Sequence, residues 1–338
     1  MNVQGNKPRV AIVGTGGTIS FTGRHSLDTW EYMDFGRRQS VAEILARFPE
    51  VGEAAEVEAI DAAQISSSGV APAHWLDLNE RLHALAGRSA PPDGIVVTHG
   101  TATLEETAYF LNLSLKTAIP VVVVGAQRPA SGFATDAGSN LLAAVRTAGS
   151  EAARGLGVLV LLNEEIQAAR EVTKASTFRL ETFRAPDLGM LGYADPDGRI
   201  AIYRRPARRH APDTEFEVRG RLDLPRVDIA YAYAGADGAA VEAFAAAGAE
   251  AIVVASLAPG LPTPAQAEAL QAAVRQQGVL TVISSRAGSG RVLRRASMVE
   301  AGIIAADNLN PQKARVLAML ALTVTRDPEA VQRVFDTY

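Results

Sequence analysis

The chain has 338 residues, a formal net charge of −4 and no cysteine. This length is typical of two domains of unequal size and allows a large hydrophobic core. The small negative charge provides no field that favours nucleic acid or an anionic membrane, and the lack of cysteine excludes disulfides and cysteine nucleophiles. The five histidines show no ligand spacing, so we expect no metal and no cofactor.

The opening segment, Met1 to Arg9, is polar and lacks the apolar stretch of a secretory signal. We therefore expect a cytoplasmic protein, or a periplasmic one if a leader has been removed. No apolar run approaches the roughly 18 residues that a membrane-spanning helix needs, so no membrane partner is expected.

Short, nearly all-apolar runs in the first half of the chain predict central strands of a parallel sheet that is covered on both faces. Helical patterns lie between these runs, at Leu104–Leu115 and Asn140–Thr147. Such alternation favours a doubly wound α/β sheet with right-handed crossovers. The predicted strands are Val10–Val13, Gly94–Thr98, Val121–Val124 and Val158–Leu162.

A segment rich in Arg, Pro and His interrupts this pattern, and the alternation then restarts. We predict an N-terminal α/β domain over 1–203, a linker over 204–222 and a smaller C-terminal α/β domain over 223–338. The basic run Arg204–His210 is interpreted as solvated linker, because one short run in an acidic protein gives a weak field for nucleic acid. Further strands are predicted at Val227–Tyr231, Ala251–Ala255 and Val279–Ser284, and helices at Pro311–Thr323 and Pro328–Phe335.

A glycine-rich turn, Gly14–Thr18, ends the first predicted strand. A dinucleotide-binding loop would need a further glycine at position 19, which is Ile19, and no P-loop lysine follows. The turn instead places the Thr18 hydroxyl at the sheet edge where ligands bind, beside glycines that let backbone N–H groups approach a ligand oxygen. A purely structural turn is the alternative.

Two further polar segments follow predicted strands. Thr101 lies directly after Gly94–Thr98, where a reactive hydroxyl would belong, whereas Thr103 is interpreted as the cap of the next helix. Ligands bind outside the carboxyl ends of such strands, so we expect the turn His99–Thr101 and the turn Gly14–Thr18 to lie close together. Lys174 ends the segment Arg170–Lys174, and a single lysine is usually solvated.

Taken together, these segments resemble the bacterial type II L-asparaginase/glutaminase family. The resemblance implies a two-domain asparaginase-like fold and hydrolysis of a small amide through a covalent threonine ester. It also implies a homotetramer built from intimate dimers, with sites at the dimer interface. The matching motifs occur in order over nearly the whole chain: Thr15–Ile19, His99–Thr101, Leu104–Leu111, Val124–Ala126, Val172–Lys174 and Leu309–Leu317.

The resemblance also implies roles for individual residues. Thr18 would be the nucleophile, assisted by Tyr32, while Thr101 and Lys174 would be the second hydroxyl and a lysine that carries protons between hydroxyls. Backbone N–H groups near Gly17 and Ala102 would stabilise the oxyanion, and the Ala126 carbonyl would hold the departing nitrogen. The predicted substrate-binding positions are Gly17, Ser67, Ser68, Gly100, Ala102 and Ala126.

The chain departs from the family where the α-ammonium group of an amino acid would bind. Ala102 stands in place of an aspartate, and Ser68 in place of a glutamine, although Ser67 is kept. Arg291–Ser297 contains no counterpart of the glutamate that a neighbouring subunit supplies in the family, and the neighbour's asparagine is missing near Gly260. Since an unpaired buried ammonium is costly, we expect a small amide, lactam or imide without that group as substrate.

Two other functions remain open from the sequence. A conventional L-asparaginase/glutaminase is possible if loop acids, Asp28, Glu31 or Asp34, rebuild the ammonium site. A non-catalytic small-ligand-binding protein on the same fold is the alternative from another class. Joint retention of the two threonines and the lysine argues against it, because a binding protein needs no proton relay.

Overall fold

The computed structural model describes residues 7–338, and the chain divides into two compact units, Met1–Thr214 and Glu215–Tyr338. The division lies inside the segment predicted as a linker. The first residues of the predicted N-terminal domain, and most of the opening segment considered as a possible signal, fall at Met1–Asn6, outside the described residues.

From residue 7 onwards, the first unit contains an eight-stranded sheet and six α-helices. Its strands are β1 Arg9–Gly16, β2 Phe21–Thr22, β3 Arg37–Arg38, β4 Glu56–Ile65, β5 Gly94–Thr98, β6 Val121–Val124, β7 Val158–Leu162, β8 Glu165–Ala168, β9 Thr173–Lys174, β10 Phe183–Arg184, β11 Gly192–Ala194 and β12 Ile200–Ile202. Its α-helices are α1 Tyr32–Phe35, α2 Val41–Arg47, α3 Val51–Ala54, α4 Pro72–Ala86, α5 Leu104–Ser114 and α6 Ala137–Ala148.

The large sheet has the strand order β12-β11-β8-β7-β6-β5-β1-β4. Strands β4, β1, β5, β6 and β7 run parallel, and β5, β6 and β7 have the predicted bounds. The side chains of β5, β6 and β7 are almost fully buried, as expected for strands covered on both faces. The predicted α/β architecture is therefore confirmed, although β8, β11 and β12 extend the sheet in antiparallel directions.

The first antiparallel strand arises from a tight hairpin. Asn163 and Glu164 connect β7 to β8, and both have positive φ angles, 53° and 65°. A turn with two left-handed residues matches the twist of paired antiparallel strands, and asparagine tolerates this conformation well. Neither this turn nor the strands of the sheet beyond β7 were predicted from the sequence.

The second unit has a four-stranded parallel sheet in the order β13-β14-β15-β16. Its predicted strands match the observed ones to within a residue at either end. The Asp327 carboxylate accepts from the Ala330 backbone N–H at 2.8 Å and so caps the last helix, which begins at Pro328 as predicted. The elements are β13 Val227–Tyr231, β14 Ala251–Ser256, β15 Leu280–Ser285, β16 Ile304–Ala305, α7 Ala239–Ala246, α8 Pro264–Gln277, α9 Ala296–Glu300, α10 Pro311–Ala321 and α11 Pro328–Thr337.

The basic run that precedes the second unit is not simply solvated. Arg204 forms an ion pair with Glu171, whose side chain is only 5% exposed, and donates to the Met190 carbonyl at 3.0 Å. The interpretation of a solvated linker is therefore wrong for Arg204, because its guanidinium neutralises a buried carboxylate. Within residues 7–338, no helix is both long and apolar enough to cross a membrane.

Candidate active site

The two polar turns predicted to converge lie in direct contact. A β-carbon on Gly17 would lie 2.3 Å from the backbone nitrogen of Gly100, so only glycine permits this approach. Gly17 also has a φ of 87°, a conformation that favours glycine. The Thr15 hydroxyl donates to the Thr98 carbonyl at 2.8 Å and ties the first turn to the end of β5. The backbone thus fixes the turn of Thr18 against that of Thr101.

The Thr18 hydroxyl forms a 2.8 Å hydrogen bond with the Tyr32 hydroxyl. Tyr32 is only 6% exposed and its ring packs edge-on against Phe21, with centroids 5.6 Å apart. Burial raises the pKa of Tyr32, so its phenol stays protonated at neutral pH. The structure therefore brings together the predicted nucleophile and the predicted assisting tyrosine.

The Lys174 ammonium donates to the Thr101 hydroxyl at 2.7 Å. Thr101 is 7% exposed and Lys174 is half-buried, so neither is a solvated surface group. Burial lowers the pKa of Lys174, which makes loss of its proton easier than for a surface lysine. This pair matches the hydroxyl–lysine relay that the family resemblance implies.

The strand that carries Lys174 is held by a buried carboxylate on α5. Glu105 accepts from the Lys174 backbone N–H at 3.2 Å and from the Thr173 hydroxyl at 3.1 Å. Phe183 pairs with Lys174 in the short β9–β10 ladder. The lysine is therefore fixed at its main chain from two sides, and its side chain is free to reach Thr101.

Ser67 joins the segment around Ser68 to the turn after β5. Its carbonyl accepts from the Thr103 hydroxyl at 2.8 Å, and its hydroxyl accepts from the Ala102 backbone N–H at 3.3 Å. Thr103 occupies the cap position of α5 but makes no side-chain cap, so the capping interpretation is wrong: its hydroxyl proton goes to Ser67 instead. The Ser67 hydroxyl in turn engages the Ala102 N–H that was expected to face an oxyanion.

The two positions that lack the family's polar groups are exposed. Ala102 has no polar side chain, and the Ser68 hydroxyl is hydrogen-bonded to its neighbour Ser66 at 3.0 Å. Among the loop acids, both Asp28 and Glu31 form ion pairs with Arg24. Two of the three acids that could rebuild an ammonium site are therefore already engaged by one arginine.

The loop after β6 contains a polar site residue, Gln127, that was not predicted from the sequence. Ala126 is fully buried, and the next residue, Gln127, accepts from the Thr101 hydroxyl at 3.1 Å and from the Lys174 ammonium at 3.2 Å. The available signal was a polar residue three positions after the carboxyl end of the predicted buried strand Val121–Val124. The Asp136 carboxylate holds the loop by accepting from the Gln127 backbone N–H at 2.9 Å.

His99 supports the turn without facing outwards. It is 3% exposed, with Nδ1 2.8 Å from the Gly100 carbonyl and Nε2 3.0 Å from the Thr107 hydroxyl, which also accepts from the Trp75 indole at 2.9 Å. Burial lowers the pKa of His99 to about 4. The imidazole is therefore neutral at physiological pH and shapes the Gly100 turn.

This burial predicts an acid-sensitive fold. Between its unfolded pKa near 6.5 and about 4, His99 binds a proton only in the unfolded chain, so the free energy of unfolding falls as pH falls. We expect a loss of about 1.4 kcal/mol per pH unit, about 3 kcal/mol over the interval. Denaturant unfolding of native protein and His99→Gln at several pH values tests this, with the exposed His25→Gln as matched control. Equal pH slopes in native protein and His99→Gln would contradict it.

In the second unit, two arginines of the segment Arg291–Ser297, which lacks a counterpart of the family's glutamate, bond other groups of the same unit. The Arg294 guanidinium donates to the Glu329 carboxylate at 2.9 Å, and Arg295 donates to the Gly260 carbonyl at 3.2 Å. The charge of Arg294 is therefore balanced within its own unit. Within the described part of the chain, no cluster of three or more His, Asp or Glu side chains could hold a metal ion.

The site combines a hydroxyl on a glycine turn, a buried tyrosine and a hydroxyl–lysine pair at the carboxyl edge of an α/β sheet. This is the arrangement expected of a threonine-dependent amide hydrolase. Comparison with known proteins gives the family. Residues 9–208 match the model of the asparaginase N-terminal domain, and residues 226–335 match that of the glutaminase/asparaginase C-terminal domain. The chain belongs to the asparaginase family of amidohydrolases.

The similarity to known proteins extends over nearly the whole chain. A glutaminase-asparaginase of Pseudomonas fluorescens is 42% identical over 97% of this chain and 90% of its own length. L-asparaginase 2 of Bacillus subtilis is 39% identical over 98% of this chain and 87% of its own. The solved structure of a probable cytoplasmic L-asparaginase from Campylobacter jejuni superposes with a TM-score of 0.93 at 37% identity, covering 98% of this chain and 100% of that one.

Proposed function

We propose that this chain hydrolyses a small amide, lactam or imide that lacks a free α-ammonium group, through a covalent ester on Thr18. The observation that carries the proposal is a contrast within one site. The Thr18–Tyr32 and Thr101–Lys174 hydrogen bonds of 2.8 and 2.7 Å are present, whereas Ala102 carries no polar group.

The proposed reaction follows from these groups. The Thr18 oxygen attacks the amide carbon, and its proton passes through the Tyr32 hydroxyl and the Thr101–Lys174 pair to the departing nitrogen. The carbon–nitrogen bond breaks, releasing ammonia from a linear amide or opening the ring of a lactam or imide. Water then cleaves the ester, giving the acid and free Thr18. Thr18, Tyr32, Thr101 and Lys174 are the proposed catalytic residues.

A second candidate is hydrolysis of free L-asparagine or L-glutamine, which the names of the similar proteins favour. It requires a carboxylate that replaces the missing aspartate. Asp28 and Glu31 already pair with Arg24, which leaves Asp34 on the exposed face of α1 as the remaining loop acid.

Release of ammonia from a panel of amides tests the proposal. The panel pairs L-asparagine and L-glutamine with their deaminated and N-acylated analogues, and it includes a lactam and an imide followed by ring opening. Thr18→Ala gives the blank. Turnover of the analogues above that of the free amino acids supports the proposal, whereas turnover of free L-asparagine alone favours the second candidate.

We further propose a homotetramer built from intimate dimers, as the family resemblance implies. The expected result of size-exclusion chromatography with light scattering is a mass near that of four chains, unchanged on dilution to submicromolar protein. A stable monomer with full activity would contradict both the assembly and any contribution of the second unit to a neighbour's site.

A further inference from the structure

We propose that Gln127 is a positioning residue that stabilises the protonated form of Lys174 and holds the Thr101 hydroxyl proton away from it, thereby setting the resting state of the relay. Gln127 lies on the loop after β6, is 9% exposed, and completes a closed triangle of hydrogen bonds with the other two side chains. The inference deepens the proposed function and rests on it only where activity is measured.

The orientation of the Gln127 amide is fixed by its neighbours. Its nitrogen lies 3.2 Å from the Thr177 carbonyl and 3.1 Å from the Arg179 carbonyl, and only an N–H group can bond two carbonyls. Its oxygen therefore faces Thr101 and Lys174. An ammonium group offers only donors, so an amide oxygen is the complementary partner.

Counting protons assigns the direction of each bond in the triangle. The Lys174 ammonium donates to both the Thr101 oxygen and the Gln127 oxygen, at 2.7 and 3.2 Å. The single Thr101 hydroxyl proton then points to Gln127, at 3.1 Å. For Thr101 to give a proton to a neutral Lys174, this hydroxyl must turn away from Gln127.

Gln127 consequently opposes the effect of burial on its neighbour. Burial lowers the pKa of Lys174, and a hydrogen-bond acceptor for the ammonium raises it. Two carboxylates also lie close by: Glu105, on α5, bonds the Lys174 main chain, and Asp136 bonds the Gln127 main chain. Neither bond involves the Gln127 side chain, so both persist when that side chain is replaced.

The composition of the chain makes the proton on Lys174 directly observable. The sequence contains only four lysines, Lys7, Lys116, Lys174 and Lys313. Protein labelled with ¹³C at the lysine ε-carbon therefore gives four resonances per chain, and Lys174→Arg identifies the one of interest. Its titration midpoint reports the protonation of Lys174 without any substrate.

The main variant is Gln127→Met, which keeps an unbranched side chain of similar size and removes the acceptor. Loss of one hydrogen bond to a charged group should weaken proton binding at Lys174 roughly tenfold or more, so the midpoint moves to lower pH. The limb of the kcat/KM profile that reports Lys174 moves in the same direction. Gln332→Met is the matched control, because it removes a buried glutamine that bonds Ala305 in the other unit and should leave the Lys174 midpoint unchanged.

A second variant keeps the proposal testable if Gln127→Met does not fold. Gln127→Glu retains an oxygen acceptor beside Lys174, so the midpoint should lie at or above that of native protein. An unchanged or higher midpoint in Gln127→Met, or a lower one in Gln127→Glu, would overturn the proposal. If Thr18→Ala hydrolyses amides normally, the proposed function fails, while the Lys174 midpoints still decide the role of Gln127.

Discussion

Thr18→Ala is expected to lower kcat at least about ten-thousandfold, because removal of the proposed covalent nucleophile leaves only binding and oxyanion stabilisation. The Thr18 side chain lies in a partly exposed turn, and its hydroxyl is hydrogen-bonded to Tyr32. Loss of this hydrogen bond should lower the free energy of unfolding by about 1 kcal/mol. Measurement of kcat on the best amide of the panel, together with denaturant unfolding, separates the two effects.

Two matched variants sharpen this experiment. Thr22→Ala removes a hydroxyl that bonds the Arg37 carbonyl in the same part of the chain and should leave kcat nearly unchanged.

Lys174→Met should lower kcat a hundredfold or more, the usual range for a lost proton-transfer group. Lys116→Met is the matched control, because it removes another partly buried lysine, which bonds Thr214. Native turnover in Thr18→Ala would show that Thr18 is not the nucleophile. A loss of kcat below about tenfold in Lys174→Met would show that Lys174 contributes only its charge and transfers no proton.

The second large effect is expected in substrate choice. Loss of one well-placed charged partner costs on the order of 2–5 kcal/mol, which lowers kcat/KM for L-asparagine by a factor on the order of 30 to several thousand. By the resemblance, Ala102 stands in place of an aspartate and Ser68 in place of a glutamine, whereas the proposed hydrolytic side chains are retained. Deaminated or N-acylated analogues should therefore have the higher kcat/KM.

The converse substitution provides the test from the other side. Ala102→Asp combined with Ser68→Gln should raise kcat/KM for L-asparagine while changing that for the deaminated analogue little. Both positions are exposed, so the substitutions do not overpack the core. Efficient hydrolysis of L-asparagine by the native chain, abolished by Asp34→Asn, would show instead that a loop acid supplies the missing charge.

The sequence predicts the repeated architecture well because buried parallel strands are nearly continuous apolar runs. The bounds of β5, β6 and β7 follow directly from such runs. In the exposed edge strand β4, Glu56–Ile65, charged residues interrupt the apolar ones. The strand therefore contains no continuous apolar run from which it could be predicted. β8 depends on the left-handed turn at Asn163 and Glu164, which composition does not reveal.

For the site, the motifs predict which residues lie at the sheet edge but not how they bond. The contact between the Gly17 and Gly100 turns was expected from topology alone. That Thr103 bonds Ser67 rather than its own helix, and that Gln127 closes a triangle with Thr101 and Lys174, depends on tertiary packing.

The bonds of Ser67 have a consequence for how specificity can diverge. Ser67 fastens the chain beside positions 68 and 102 through its own carbonyl, its hydroxyl and the Ala102 main chain, none of which depends on the side chains at those two positions. A mutation at either position can therefore alter ligand preference without displacing the reactive hydroxyls. We expect single substitutions at these positions to change the preferred amide while the proposed hydrolytic side chains keep their places.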